Sequence, residues 1–135
     1  MKKQILIADD EVMIRELCRD LLEDEGYEVT EALDGIDAIS KMSTKAFDLF
    51  LIDMAMPELG GYELMKEIKR KQPLAVIIIL TGYSSVSGAV KAVQAGAFEY
   101  LSKPLNSETF FKVIKDALNH SENITGSLQK AFDPG

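Results

Sequence analysis

The chain has one cysteine (Cys18), one histidine (His120) and no tryptophan among its 135 residues. A lone cysteine forms no internal disulfide, and no second Cys or His stands beside it at metal-ligand spacing, so Cys18 reads as a small buried helix residue. Long apolar runs are also missing. None approaches the roughly 20 residues that span a bilayer, and no membrane insertion is expected. The N-terminus, Met1-Lys2-Lys3-Gln4-Ile5, runs into a short apolar strand and then acids, without the apolar core or cleavage site of a signal peptide; the expected location is the cytoplasm. The triplets Asn119-His120-Ser121 and Asn123-Ile124-Thr125 then carry no glycan. Positive charge is short as well. Fifteen Lys and Arg against 22 Asp and Glu leave a net charge of −7, which repels phosphate backbones and anionic lipid, so this domain is not expected to bind nucleic acid directly.

What is present is a 47% hydrophobic composition with mean hydropathy near zero, suited to one globular domain with a sizeable core. Apolar runs at Ile5 to Ala8, Phe47 to Ile52 and Ala75 to Leu80, with weaker ones at Tyr27 to Glu31 and Ala97 to Leu101, predict five strands. Between them, helical spacing is carried by Ile14, Leu17, Cys18, Leu21 and Leu22, then by a short stretch from Gly35 to Met42. It continues at Leu64, Met65 and Ile68, at Val86, Ala89, Val90 and Val93, and at Phe110, Val113, Ile114, Ala117 and Leu118. Strict alternation of strand and helix predicts an α/β fold with a parallel sheet covered on both faces. After about His120 the pattern stops. Residues 1–120 therefore read as one domain, and 121–135 as a C-terminal tail or the start of a linker, with a weak Leu128, Ala131, Phe132 patch and room for a partly helical middle.

Functional groups stand where four strands end. The first strand ends at Ala8-Asp9-Asp10-Glu11, the third at Asp53, the fourth at Thr81-Gly82, and the fifth runs into Ser102-Lys103-Pro104. Ligands of such sheets sit at the carboxyl ends of the strands. In the strand order 2-1-3-4-5, Asp9, Asp10, Asp53, Thr81 and Lys103 share one pocket. Three adjacent carboxylates repel one another, and either protonation or a bound cation relieves them. An all-oxygen set suits Mg²⁺ better than zinc. These parts suit phosphoryl transfer onto a carboxylate: Asp53 as nucleophile, Lys103 and the cation against the phosphoryl oxygens, and the Thr81 hydroxyl with backbone N–H groups near Ala55 and Gly82 as donors.

Each signal alone has a plainer reading. Asp10 and Glu11 suit any helix start, Asp53 suits the turn before Met54-Ala55-Met56-Pro57, and Thr81-Gly82 is an ordinary strand-to-helix turn. A lysine such as Lys103 usually faces solvent, and Tyr100 reads as core on packing grounds alone. Met54, Met56 and Met65 read as turn and core packing. His120 reads as a residue favoured by a helix C-terminus and not as a phosphocarrier, and Phe111, off the apolar stripe that includes Phe110, stands between core and partner contact. It is the joint placement at four strand ends that favours function.

The segments ILIADDE, DLFLIDMAMPELGGYEL, IILTGY and AGAFEYLSKP, in this order, resemble the receiver domain of two-component response regulators, over about residues 3 to 120. The resemblance implies a flavodoxin-like (βα)₅ fold with a five-stranded parallel sheet in order 2-1-3-4-5. It implies that Asp53 is phosphorylated by a phosphohistidine of a sensor kinase or a histidine phosphotransfer protein. It further implies Mg²⁺ held by Asp10 and Asp53 directly, by Asp9 through water and by the Ala55 carbonyl, with Thr81 and Tyr100 as a switch pair. The switch would bias the face of the fourth helix, fifth strand and fifth helix, where a downstream protein, a linked effector domain or a second copy would dock. The Lys103-Pro104 bond is expected to be cis. Such a chain is a signalling switch that promotes its own Mg²⁺-dependent phosphorylation and dephosphorylation, not a turnover enzyme.

Gly60-Gly61 departs from the Asp-Gly frequent in that family, which loosens entry to the third helix and is expected to touch no catalytic group. Ala55 and Tyr83 occupy places that tune phosphoryl lifetime, with Tyr83 expected to restrict attacking water. Two other functions remain in view. A phosphatase of the haloacid dehalogenase type would need an acid two residues after the nucleophile, where Ala55 stands. A flavin binder would need a phosphate loop after the first strand, where three acids stand instead.

Overall fold

The computed structural model describes residues 2–82 and 86–132. Strands β1 (Gln4–Ala8), β2 (Glu28–Ala32), β3 (Leu49–Asp53), β4 (Ile77–Thr81) and β5 (Glu99–Ser102) alternate with helices α1 (Val12–Asp24), α2 (Gly35–Met42), α3 (Gly61–Lys71), α4 (Val86–Gln94) and α5 (Ser107–Phe132). The strands form one parallel sheet in the order β2-β1-β3-β4-β5.

Strand side chains alternate between the two faces, and this divides the core in two. Leu6, Ala8, Phe50, Ile52, Ile77 and Ile79 pack with α2, α3 and α4. Ile5, Ile7, Leu49, Leu51, Ile78 and Leu80 pack with Cys18 and Leu22 of α1 and with Phe110, Ile114 and Ala117 of α5. Every residue of β3 and β4 is buried, which is why these strands read as unbroken apolar runs. The two strands begin two residues later than the runs at Phe47 and Ala75. Phe47 and Val76 are buried for packing, but the ladders start at Leu49 and Ile77.

Two helix faces differ from the periodic reading. Leu17 and Val90 are exposed. On α1 the buried face is Arg15, Cys18 and Leu22, at spacings of three and four, and Leu17 is turned about 200° from Arg15, away from the sheet. Arginine thus occupies a position that hydropathy assigns to no core residue.

The helical part beyond His120 is longer than the partly helical middle expected there, because α5 continues to Phe132. No proline interrupts residues 107–132, and once the first turns are docked each further residue adds a backbone hydrogen bond. His120 is therefore not at a helix terminus; its ring lies 5.1 Å from that of Phe98. Phe111 is half-buried, edge-on to Phe110 at 5.7 Å between ring centres.

Local signals close the connecting loops. Asp34 caps α2 by accepting from Asp37 N–H at 2.8 Å, and the Asp37 carboxylate accepts from Leu33 N–H at 2.9 Å, a reciprocal cap. Gly26 and Gly96 follow α1 and α4 with φ of 89° and 125°, the left-handed backbone that ends a helix cheaply only in glycine.

Candidate functional site: an acidic pocket at the strand ends

Ala8 of β1 is paired with Ile52 of β3, and Asp53 with Leu80 of β4, while Thr81 is paired with Ser102 of β5. Parallel pairing in this register brings the segments that follow β1, β3, β4 and β5 to the same edge of the sheet. Among the described residues only four polar or charged side chains are buried, namely Asp9, Arg15, Asp53 and Thr81. Three of them were candidates from the sequence.

Carboxylate oxygens of Asp9, Asp10 and Asp53 lie within 4.8 Å of one another. Asp9 and Asp53 are buried, whereas Asp10 faces solvent. Lys103 reaches into the group from the β5–α5 loop, with Nζ 3.0 Å from Asp9 Oδ2, 2.9 Å from Glu11 Oε1 and 3.3 Å from Asp53 Oδ1. Its own N–H donates to the Thr81 carbonyl at 2.8 Å, and the following Lys103-Pro104 peptide is cis. Three carboxylates thus face one ammonium, with Asp10 beside them.

The charge imbalance is felt by the acids. Burial first, and then the charge of Asp9, push the Asp53 carboxyl up to about 6, against the pull of Lys103 and a hydrogen bond from Ala55 N–H. Burial likewise raises Asp9 above the ordinary carboxylate range, although Glu11 N–H and Lys103 oppose it. For Lys103, burial favours the neutral amine, but Glu11, Asp9 and Asp53 together outweigh it and its pKa is raised. An ammonium so surrounded stays charged.

A hard cation fits this set. All donors are oxygens, and the buried Asp9 Oδ2 accepts no hydrogen bond, its contact with Lys103 being an ion pair without hydrogen-bond geometry. Nearby acids with one unsatisfied buried oxygen are what such an ion relieves.

The remaining predicted residues lie as follows. The Thr81 side chain is buried, and its Oγ1 donates to the Gly82 carbonyl at 3.0 Å. Tyr100 is half-buried against the core on the α2–α4 side. Ala55 is exposed in the turn after Asp53. Met56 and Met65 are buried and Met54 packs beside them, as expected. Tyr83 lies outside the described residues.

Gly61 lies against the main chain of the turn that follows Asp53: a Cβ there would collide with the Asp53 carbonyl oxygen and lie 2.9 Å from Met54 Cα. Gly61 N–H also donates to the Met54 carbonyl at 3.0 Å, closing the β3–α3 turn. Gly60 stands at the N-cap of α3 without a side-chain cap.

Sequence reasoning missed two further groups. Glu11 was read as a helix-start acid, yet at the N-cap of α1 its side chain makes no cap hydrogen bond and pairs with Lys103 instead. Arg15 was passed over, and its Nη1 donates to the Asp9 carbonyl at 2.7 Å. The available signal was a charged residue in register with Cys18 and Leu22.

Known proteins resemble this chain in sequence and in fold. The family model of the response regulator receiver domain matches residues 5–115. The transcriptional regulatory protein ZraR of Salmonella typhimurium is 39% identical over 130 residues, which are 96% of this chain and 30% of that one. The DNA-binding transcriptional regulator NtrC of Klebsiella pneumoniae is 34% identical over 114 residues, 84% of this chain and 24% of that one. The chain therefore spans less than a third of these curated relatives. A response regulator receiver domain protein from Clostridium thermocellum superposes with a TM-score of 0.85 at 34% identity, covering 90% of this chain and 98% of that one. NtrX from Brucella abortus gives 0.90 at 30% identity, covering 96% of this chain and 29% of that one. With the fold, the strand order and the match over residues 5–115 in agreement, the chain belongs to the response regulator receiver domain family of two-component signalling.

Proposed function

We propose that Asp53 accepts a phosphoryl group from a phosphohistidine of a sensor kinase or phosphotransfer protein, and that the modified pocket changes a protein-binding surface. The observation that carries this reading is the position of Asp53: buried, at the end of a central strand, with two other aspartates close by and an ammonium 3.3 Å from Oδ1. An Asp53 oxygen forms the new O–P bond as the donor's P–N bond breaks, and the leaving imidazole nitrogen keeps the electron pair and takes a proton. Lys103 offsets charge on the phosphoryl oxygens, for which it must loosen its hold on Glu11. Asp9, Asp10, Asp53 and the Ala55 carbonyl would hold Mg²⁺, which supplies neutralising charge to the same oxygens.

After transfer, the Thr81 hydroxyl gives up the Gly82 carbonyl for a phosphoryl oxygen, and Tyr100 moves with it. The face built from α4, β5 and α5 then binds a downstream protein, a linked effector domain or a second copy. Relatives that are transcriptional regulators, of which this chain covers 24–30%, favour a linked effector. In that setting residues 1–120 are the receiver and 121–135 lead toward the linker, with 121–132 belonging to α5. The reading implies a cytoplasmic protein, in keeping with the absence, among the described residues, of any helix long and apolar enough to cross a membrane.

Intact mass after incubation with acetyl phosphate tests it. The expected result is a Mg²⁺-dependent gain of one phosphoryl group that disappears in Asp53→Ala. A folded chain that neither gains the group nor binds a stable phosphoryl mimic would leave the receiver assignment true of the fold alone.

A further inference from the structure

Arg15 is the one buried charged side chain among the described residues that phosphoryl transfer does not use. Burying an ion pair removes both charges from water at a penalty of several kcal/mol, and apolar replacements of similar volume are often neutral or stabilising. Its presence on the apolar face of α1, beside Cys18 and Leu22, therefore calls for a role other than filling space.

Its contacts indicate that role. Arg15 Nη1 donates to the main-chain carbonyl of Asp9 at 2.7 Å, and Nε donates to Glu31 Oε1 at 3.3 Å. Glu31, on edge strand β2, is held in turn by Arg19 Nη1 at 2.6 Å, and its carbonyl accepts from Lys41 Nζ of α2. The guanidinium thus ties the acidic β1–α1 loop to β2. Asp9 N–H donates to the Ala32 carbonyl at 3.3 Å, and Asp9 Oδ1 accepts from Glu11 N–H at 2.9 Å. With the Arg15 bond, every polar atom of Asp9 is fixed by a hydrogen bond except Oδ2, the oxygen left toward the pocket.

We infer that Arg15 is a positioning residue: through the Asp9 carbonyl it sets the geometry with which Asp9 and Asp10 present their oxygens to a divalent cation. This rests on the cation reading given above. Mg²⁺ demands near-octahedral oxygens at about 2.0–2.1 Å, so a loop displaced by a fraction of an ångström binds it less well. Groups that orient metal ligands typically change affinity by about 10- to 100-fold when removed.

Charge and position make opposite predictions here. Arg15→Met removes a positive charge near the acids, which by Coulomb attraction alone tightens cation binding. If Arg15 positions the loop, the same change weakens it. Glu31 keeps Arg19 as a partner in this variant, so no carboxylate is left unpaired.

The test is a Mn²⁺ titration of the full chain, followed by the electron paramagnetic resonance of free Mn²⁺, for wild type, Arg15→Met, Arg15→Gln and Asp10→Asn. The expected result is about 10-fold weaker binding in Arg15→Met, a smaller loss in Arg15→Gln, and the largest loss in Asp10→Asn. Unchanged or tighter binding in folded Arg15→Met overturns the positioning role and leaves the cation site standing. If Arg15→Met does not fold, Arg15→Gln, which removes the same charge but keeps a polar head, decides: weaker binding supports the role, and unchanged or tighter binding overturns it. Wild type without Mn²⁺ affinity overturns the cation reading, and the positioning role with it.

Discussion

Asp53 holds its proton more tightly in the folded chain than in the unfolded one, because burial and the neighbouring Asp9 charge raise it from the ordinary 3.8 to about 6. Since the native state binds the extra proton, stability of the cation-free chain falls as pH rises from about 4 to about 6 and stays lower above that. Asp53→Asn removes the buried charge. In EDTA at pH 7.5 this variant is expected to be more stable than wild type by about 1–3 kcal/mol, with the difference vanishing near pH 4. Urea unfolding at both pH values checks it; equal stability at pH 7.5 would mean that Lys103 already balances the pocket. Asp9, Asp10, Asp53, Thr81 and Lys103 could be nominated from the sequence because strand ends are visible in hydropathy. Glu11 and Arg15 could not be assigned their partners, since Glu11 meets a lysine 92 residues away and Arg15 bonds a main-chain carbonyl that carries no sequence signal.

Helices and turns locate these groups, and the β3–α3 turn shows how closely. Gly61 has no room for a methyl group against the Asp53 carbonyl, whereas a Cβ at Gly82, in the β4–α4 turn, would meet nothing within 4 Å. Gly61→Ala is therefore expected to destabilise the chain by about 1–3 kcal/mol through overpacking. Gly82→Ala should stay within about 0.5 kcal/mol of wild type. Comparable losses in the two variants would argue against a close approach at Gly61. Helix α5 was legible only for the part whose apolar residues face the sheet. Beyond His120 the weak helix formers Ser121, Asn123, Thr125 and Gly126 interrupt the apolar pattern without preventing hydrogen bonding, and the helix continues.

For the whole molecule, the acidic pocket is a local concentration of a charge that is already negative overall, at −7. A ligand that binds only the folded state stabilises it by RT ln(1 + [L]/Kd). Mg²⁺ at 100 times its Kd is therefore expected to add about 2.7 kcal/mol at neutral pH, read as a rise in melting temperature. Asp10→Asn should show little of that rise. An equal shift in wild type and Asp10→Asn would indicate general screening of charge and no cation bound in the pocket. The same stabilisation should shrink below about pH 6, as Asp53 takes up a proton and competes with the cation.

The sequence by itself determined the alternation of elements, the burial of β3 and β4 and the nomination of Asp9, Asp10, Asp53 and Lys103, because apolar period and strand-end chemistry are local properties of the chain. Only the tertiary structure decided that one lysine pairs with three acids from two other segments, that Gly61 backs the Asp53 main chain, and that a buried arginine fixes the Asp9 loop to β2. Those facts depend on distances between elements, and such distances are set by the packing of the sheet, its turns and its helices together and not by any one of them.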